Sequence, residues 1–387
     1  MTANVTSLAK VRAAARERAE RLRTNNRMST VLLVVAVVLI VIGLGATQSA
    51  SSAIALNRVE DRFYFFKRQL LGVGMGTVAM LVTSRVSYQR YRKLALPLYL
   101  LNVVMLVGVL AVGVTVGGAT RWVEIAGIRF QPSEIAKISV PLMLAVIFER
   151  KRNLLKSFGH FVVPLVATLG VVVALIMRQP DLGTTIIVAS AALAVVAVSA
   201  TPFRYVLTLG LGAVAGATIM AFGARYRIRR IQAFLDPFAD PKGTGFQLIQ
   251  GYYALANGGI LGVGLGASRA RWFYLPNAHT DFIFAIIGEE TGLVGGLTII
   301  GLFAVLAATG CLVAFRAPDD FGRMLAAGIT AWISFQALVN IGGVLGVLPI
   351  TGIALPFVSY GMTALVVSMA SLGILVNIAQ AGVDAKR

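Results

Sequence analysis

TVLLVVAVVLIVIGLGAT, residues 30–47, contains eighteen residues and not one charge. A run of that length and polarity is what a helix needs to cross the hydrocarbon core of a bilayer, about 20 apolar residues. Comparable runs recur near 66–84, 95–116, 132–149, 160–177, 183–201, 203–223, 282–308, 323–346 and 354–380. The pattern predicts an all-α chain, a polytopic integral membrane protein of about ten transmembrane helices. Gly and internal polar residues within the runs suit helices packed on one another. Composition agrees: 57% of residues are hydrophobic and 13% charged, far from the globular average. The first run follows a long basic segment and leads into further spans, which argues against a cleaved signal peptide. The single cysteine, Cys311, falls inside a span and excludes a disulfide framework and most metal–thiolate sites.

Orientation follows from Lys and Arg. The N-terminal segment carries Lys10, Arg12, Arg16, Arg18, Arg21, Arg23 and Arg27; later clusters are Arg85, Arg90, Arg92 and Lys93, then Arg150, Lys151, Arg152 and Lys156. Ten spans with both termini cytoplasmic put all of these inside, with Arg204, Arg316, Arg323 and the terminal Lys386 and Arg387. The net charge of +19 is therefore mostly membrane topology, and no nucleic-acid partner is expected. The expected layout is a basic cytoplasmic segment (1–29), spans one to seven (30–223), a large structured extracytoplasmic loop (224–281), then spans eight to ten with a short cytoplasmic C-terminus (282–387).

That loop is cationic although it should face outward, with Arg225, Arg227, Arg229, Arg230, Lys242, Arg269 and Arg271. Within it FQLIQGYYALANGG reads as an amphipathic helix at the interface. A structured cationic loop bordered by carboxylates suits chemistry on an anionic, membrane-associated ligand. Phosphate on a lipid fits best, because arginine binds it through charge-assisted hydrogen bonds.

LPNAHTDFIFAIIGEE, residues 275–290, concentrates His279, Asp281, Glu289 and Glu290 where the loop re-enters the membrane. Asp281 is placed to cap the eighth span, a role common for acidic residues. Glu289 and Glu290 lie two turns further in, where an ionisable group is costly and points to function. In a regular helix Glu289 lies about 80° around from Asp281 and Glu290 roughly opposite, so Glu289 is the one expected to share a site with Asp281. GGILGVGLGASR (258–269) reads as a tight turn at the membrane edge, since it lacks dinucleotide spacing. GGATRWVEIAGIRFQPSEIAK (117–137) places Arg121, Trp122 and Glu124 on an outer loop before Glu134 and Lys137 at helical spacing. In RQPDLGTT (178–185), Asp181 is a natural helix cap. No metalloprotease, serine hydrolase or nucleotide-triphosphatase pattern is present.

Taken in order, GATRWVEI, QPSEIAK, QPDLGTT, FLDPFADPKGTGFQLIQ, GLGASRARWFYLPNAHTDFIFAIIGEE and LPITGIALPFVSYG resemble the motifs of the SEDS family (shape, elongation, division and sporulation) from about residue 30 to 380. The GLGxS run and YLPxAHTDFIFAIIGEE resemble its division (FtsW) branch more than its elongation (RodA) branch. The chain departs from the family at 359–364: SYGMTA stands where SYGGSS is usual, and PITG, with Thr351, replaces a turn that can carry Lys. The resemblance implies a peptidoglycan glycosyltransferase that polymerises lipid II at the outer face of the cytoplasmic membrane, with a septal role in division. It implies Asp281 as catalytic base, Arg121, Trp122, Lys137, Arg269 and Arg271 as substrate-binding, and His279, Glu289 and Asp181 as orienting residues. A class B penicillin-binding protein transpeptidase and other divisome proteins are the implied partners. No cofactor is required; a divalent cation such as Mg²⁺ is an option, although no ligand spacing identifies one. The rival readings are a lipid II flippase, an elongation polymerase and a non-catalytic division scaffold. Few ionisable residues fall at mid-membrane depth, which counts against a coupled transporter.

Overall fold

Backbone amides in hydrocarbon must be satisfied within their own segment, so apolar runs of this length fold as helices. The computed structural model describes residues 2–116, 119–125, 127–223, 225–272 and 275–381. Gly117, Gly118, Phe273, Tyr274, Lys386 and Arg387 lie outside these, as do the side chains of Lys10 to Arg23. Helices form at all ten expected places: α1 (Thr2–Val59), α2 (Tyr64–Arg85), α3 (Tyr88–Val112), α4 (Pro132–Arg150), α5 (Phe158–Leu165) continuing into α6 (Val171–Arg178), α7 (Leu182–Val198), α8 (Phe203–Phe222), α11 (Ile283–Arg316), α12 (Asp320–Val344) and α13 (Met362–Ala381). Among the described residues seven of these are long and apolar enough to cross a membrane. The others are α7, with only 17 residues, and α2 and α4, which carry charges near their ends. Pro164 lacks an amide to donate, and the helical ladder widens into a π turn at Val166–Gly170 between α5 and α6. The first span runs on to Val59, and the last begins at Met362 rather than 354.

The chain is not wholly α. β1 (Val114–Val116), β2 (Ala119–Ile125) and β3 (Ile128–Phe130) form a small antiparallel sheet after α3. Trp122 pairs with Val114, and Val123 with Phe130. β-branched and aromatic residues alternate through TRWVEI, and Gly127, at φ +75°, makes the turn to β3.

Two more helices, α9 (Arg225–Leu235) and α10 (Phe246–Gly258), belong to the expected loop. α10 does not simply lie at an interface: it buries Leu248, Ile249, Gly251, Ala254 and Gly258, packing on α11. The glycine-rich run that follows is tied to the same helix. α11 breaks at Gly292, and the backbone of 259–264 crosses the break. Val263 and Gly264 donate to the carbonyls of Glu289 and Glu290, while Leu293 and Val294 donate to Gly259 and Ile260. A side chain at Gly262 would begin 2.2 Å from the Glu290 carbonyl, so only glycine permits this approach.

α2 packs along α13. Met362 and Met369 of α13 lie over Gly72 and Gly76, a GxxxG pair of α2, so the family departure at 362 is accommodated by glycine across the interface. Thr363, the neighbouring departure, accepts from the Gln131 amide at 3.3 Å.

Candidate functional site

Residues 345–361 form neither helix nor strand, and they lie against His279–Asp281. Pro349 and Pro356 deny them helical hydrogen bonds, and Gly352 sits at φ +75°. Their carbonyls are satisfied from α12. Gln336 Nε2 donates to the carbonyl of Ala354 at 2.7 Å, and one turn on Asn340 Nδ2 donates to that of Ile353 at 2.8 Å. Asn340 also donates to the carbonyl of Asp281 at 2.8 Å. Ser359 Oγ donates to the carbonyl of Thr280 at 2.5 Å, and the Tyr360 amide to that of His279 at 3.0 Å. HTD is thus clamped by its backbone against two distant segments.

Asp281 does not cap α11. The N-cap is Phe282, without a side-chain bond; the Asp281 carboxylate accepts the Thr280 hydroxyl at 3.0 Å, with further hydrogen bonding from the Gln247 side chain and its own backbone amide. Burial pushes its pKa up, against the Thr280 hydrogen bond and the nearby charge of Arg230. A methyl at Gly352 would lie 3.6 Å from Arg230 Nη1 and 3.8 Å from Asp281 Oδ2. The guanidinium of Arg230 and the carboxylate of Asp281 therefore both approach the same bare glycine.

His279 is not an orienting partner for that carboxylate. Its ring packs against Phe65 and Tyr360, with centroids 4.9 and 5.6 Å away, and its Nδ1 is buried without a partner among the described residues. Burial, helped by the charge of Arg58, lowers its pKa to about 4, so it is neutral at pH 7. Arg68 and Arg129 place positive charge near Tyr360, whose phenol burial pushes up.

Glu289 has a different task from the one expected. Its carboxylate accepts the Ser268 hydroxyl and the amides of Arg269 and Ala270, at 3.3 and 3.2 Å for the amides. Asp281 precedes α11 and Glu289 lies about two turns into it, so a shared face does not become a shared site. Glu290 faces away, as the spacing requires, and accepts from Ser49 of α1.

Asp181 is the cap its sequence suggests, accepting the Thr184 amide at 3.1 Å and its hydroxyl at 2.9 Å. It lies 3.8 Å from Arg121 Nε, whose guanidinium also binds the carbonyls of Gln179 and Pro180. Arg121 is therefore a brace between β2 and the start of α7. Lys137 is buried at 1% exposure, with its ammonium on both oxygens of Glu134 at 2.7 Å and on Gln336 Oε1 at 2.8 Å. All three of its protons are in use. Trp122 is half-buried in β2, and no described contact joins it to Asp281. Arg269 is exposed, and Arg271 lines a groove between α1 and α11. The cation beside Asp281 is Arg230, which the sequence supplied only as one of several loop arginines. Gly352 and Ser359 stood in the quoted LPITGIALPFVSYG run without a role, and Asn340 lay outside every quoted motif. Among the described residues no three His, Cys, Asp or Glu side chains are grouped to hold a metal ion.

The FtsW/RodA/SpoVE family, described as cell cycle proteins, matches this sequence over residues 29–382. The chain is 41% identical over 350 residues to a relative from Geobacter sp. (strain M18) named "Probable peptidoglycan glycosyltransferase FtsW", covering 90% of this chain and 95% of that one. It is 38% identical over 351 residues to stage V sporulation protein E of Bacillus subtilis, covering 90% and 96%. Among solved structures it resembles a chain from work on the coordination of polymerization and crosslinking by a peptidoglycan synthase complex. There the TM-score is 0.73 at 30% identity, covering 92% of this chain and 98% of that one. It also resembles the rod shape-determining protein RodA of Thermus thermophilus, at a TM-score of 0.67 and 27% identity, covering 90% and 96%.

Proposed function

Because the chain belongs to the FtsW/RodA/SpoVE family of cell cycle proteins, we propose that it is a peptidoglycan glycosyltransferase that polymerises lipid II at the outer membrane edge. The observation that carries the mechanism is the Asp281 carboxylate, fixed through its backbone by Asn340 and faced across Gly352 by Arg230. The acceptor's GlcNAc 4-hydroxyl attacks C1 of the donor's MurNAc. The bond from C1 to the polyprenyl pyrophosphate oxygen breaks, that oxygen keeps the electron pair, and the hydroxyl proton passes to Asp281. General-base help of this kind contributes about 10²- to 10⁴-fold. Arg230, with Arg269 and Arg271 on the same loop, supplies positive charge for the departing pyrophosphate. The described residues offer no grouped metal ligands, so no step is routed through a cation.

Residues 224–281 face outward in this reading, the termini lie inside, and the protein works at the division septum beside other divisome proteins. A class B penicillin-binding protein crosslinks the strands; the solved relative from a complex joining polymerization to crosslinking supports such a partner. The test is strand synthesis by the purified chain from lipid II in detergent, with and without the transpeptidase. Glycan ladders are expected, longer or faster with the partner. No ladders even with it would return the protein to the flippase reading.

A further inference from the structure

α10 presents one face to the segment that carries Asp281. Gly251, Ala254 and Gly258 are buried along it, and Gly251 receives the Phe282 ring, which lies 2.8 Å from where a side chain there would begin. Gln247 stands one turn before Gly251 on that face. Its Nε2 donates to the carbonyl of Pro276 at 3.2 Å, and the same side chain hydrogen-bonds the Asp281 carboxylate. An ionised carboxylate can only accept, so the two bonds use the two protons of one amide nitrogen. They bridge the turn at Asn277, whose φ is +54°.

We propose that Gln247 is a positioning residue for the Asp281 base, holding the carboxylate in the plane from which it meets the acceptor hydroxyl. That Asp281 is a base rests on the glycosyltransferase reading above; the bridge from α10 to its carboxylate does not. Asn340 fixes the backbone of Asp281 but leaves the side-chain torsions open. The last of these, about Cβ–Cγ, is intrinsically broad. Thr280 holds Oδ1, and Oδ2 lies on the Gly352 side. With one contact the carboxylate swings about that bond; a second, from a packed helix, stops it. The chemistry of an amide also suits a base. Arg230 of α9 already sets positive charge against the carboxylate, while α12 brings the neutral Asn340 and the 345–361 segment brings Gly352. His279, two residues back, faces Phe65 and Tyr360 instead. A second cation at 247 would favour the ionised form so strongly that the carboxylate became a poor proton acceptor. A neutral donor gives direction at a smaller loss of basicity.

The test compares the full chain with Gln247→Met, which keeps the length and loses both bonds, and with Gln247→Glu, which keeps the shape and adds a like charge. Lipid II polymerisation is followed across pH. Gln247→Met lowers kcat at pH 7 about ten-fold or more with KM held within about two-fold, and moves the acid limb up by about one unit, because a hydrogen bond to the ionised form is lost. Gln247→Glu moves the limb further the same way, and as the closer isostere it carries the same readings if the Met variant does not fold. A loss equal at every pH, a loss confined to KM, or a folded variant with wild-type kcat overturns the proposal. The contact is also read without turnover, by infrared difference titration of the Asp281 carboxyl band, identified by its loss in Asp281→Asn. The midpoint rises in Gln247→Met; an unchanged midpoint overturns the bridge. A midpoint that rises in a chain making no glycan refutes the glycosyltransferase reading alone.

Discussion

The side-chain amide of Asn340 donates to the backbone carbonyl of Asp281 at 2.8 Å and, with its second proton, to that of Ile353 at 2.8 Å. One buried residue of α12 thereby sets the distance between the carboxylate and the Gly352 backbone. Replacing it with Leu strands two carbonyls, about 1–3 kcal/mol each. We expect Asn340→Leu to lower kcat for lipid II polymerisation at least ten-fold with KM nearly unchanged. A folded fraction of the variant with normal kcat would reduce Asn340 to a structural strut.

Asp281→Asn separates catalysis from stability. The carboxylate caps nothing, and an amide oxygen still accepts from Thr280. Glycan synthesis should fall about 10²-fold or more. Stability should rise, because a carboxyl whose folded pKa is raised is most stabilising when protonated. That contribution is complete below the ordinary value of 3.8 and is lost as pH climbs through the raised one. The variant's advantage in melting temperature is therefore present at pH 7 and shrinks on acidification. Wild-type activity should carry an acid limb above pH 3.8, and Arg230→Gln should move that limb to higher pH by removing a charge that favours ionisation.

His279 is expected to contribute packing and not proton transfer. With its pKa near 4, it titrates below the range in which an acid–base histidine works. Folding stability should fall as pH drops from the ordinary 6.5 towards 4, where the folded ring must charge. His279→Phe preserves the contacts to Phe65 and Tyr360, so its polymerase activity should persist, at a cost below about 1.5 kcal/mol. Abolished activity in a folded Phe variant would restore a chemical role.

Lys137 and Glu134 test the buried pair under the site. Lys137→Met alone leaves Glu134 uncompensated and should cost about 3–5 kcal/mol. The double change Lys137→Met with Glu134→Leu should recover most of that stability in thermal melts. If Lys137 also binds pyrophosphate, the double variant stays stable yet loses lipid II use; if it is structural only, activity returns with the fold.

The sequence alone determined the ten helices, because apolar length and the absence of charge are local properties that the bilayer reads directly. It also determined α10, the Asp181 cap and the outward turn of Glu290 from Glu289, since each follows from spacing along one helix. The tertiary structure decided the rest. Whether Asp281 caps a helix or faces a gap depended on Asn340, Gly352 and Ser359, 59 to 78 residues away in the chain. How far a cation was engaged depended on its neighbours: Arg121 and Lys137 spend their donors inside the protein, and Arg230 keeps one contact with the Ile350 carbonyl and stands by the carboxylate. Helical periodicity fixes which side of a helix a residue faces. It carries no information on which distant segment arrives there, and that packing settles whether a buried polar group is structural or left over for chemistry.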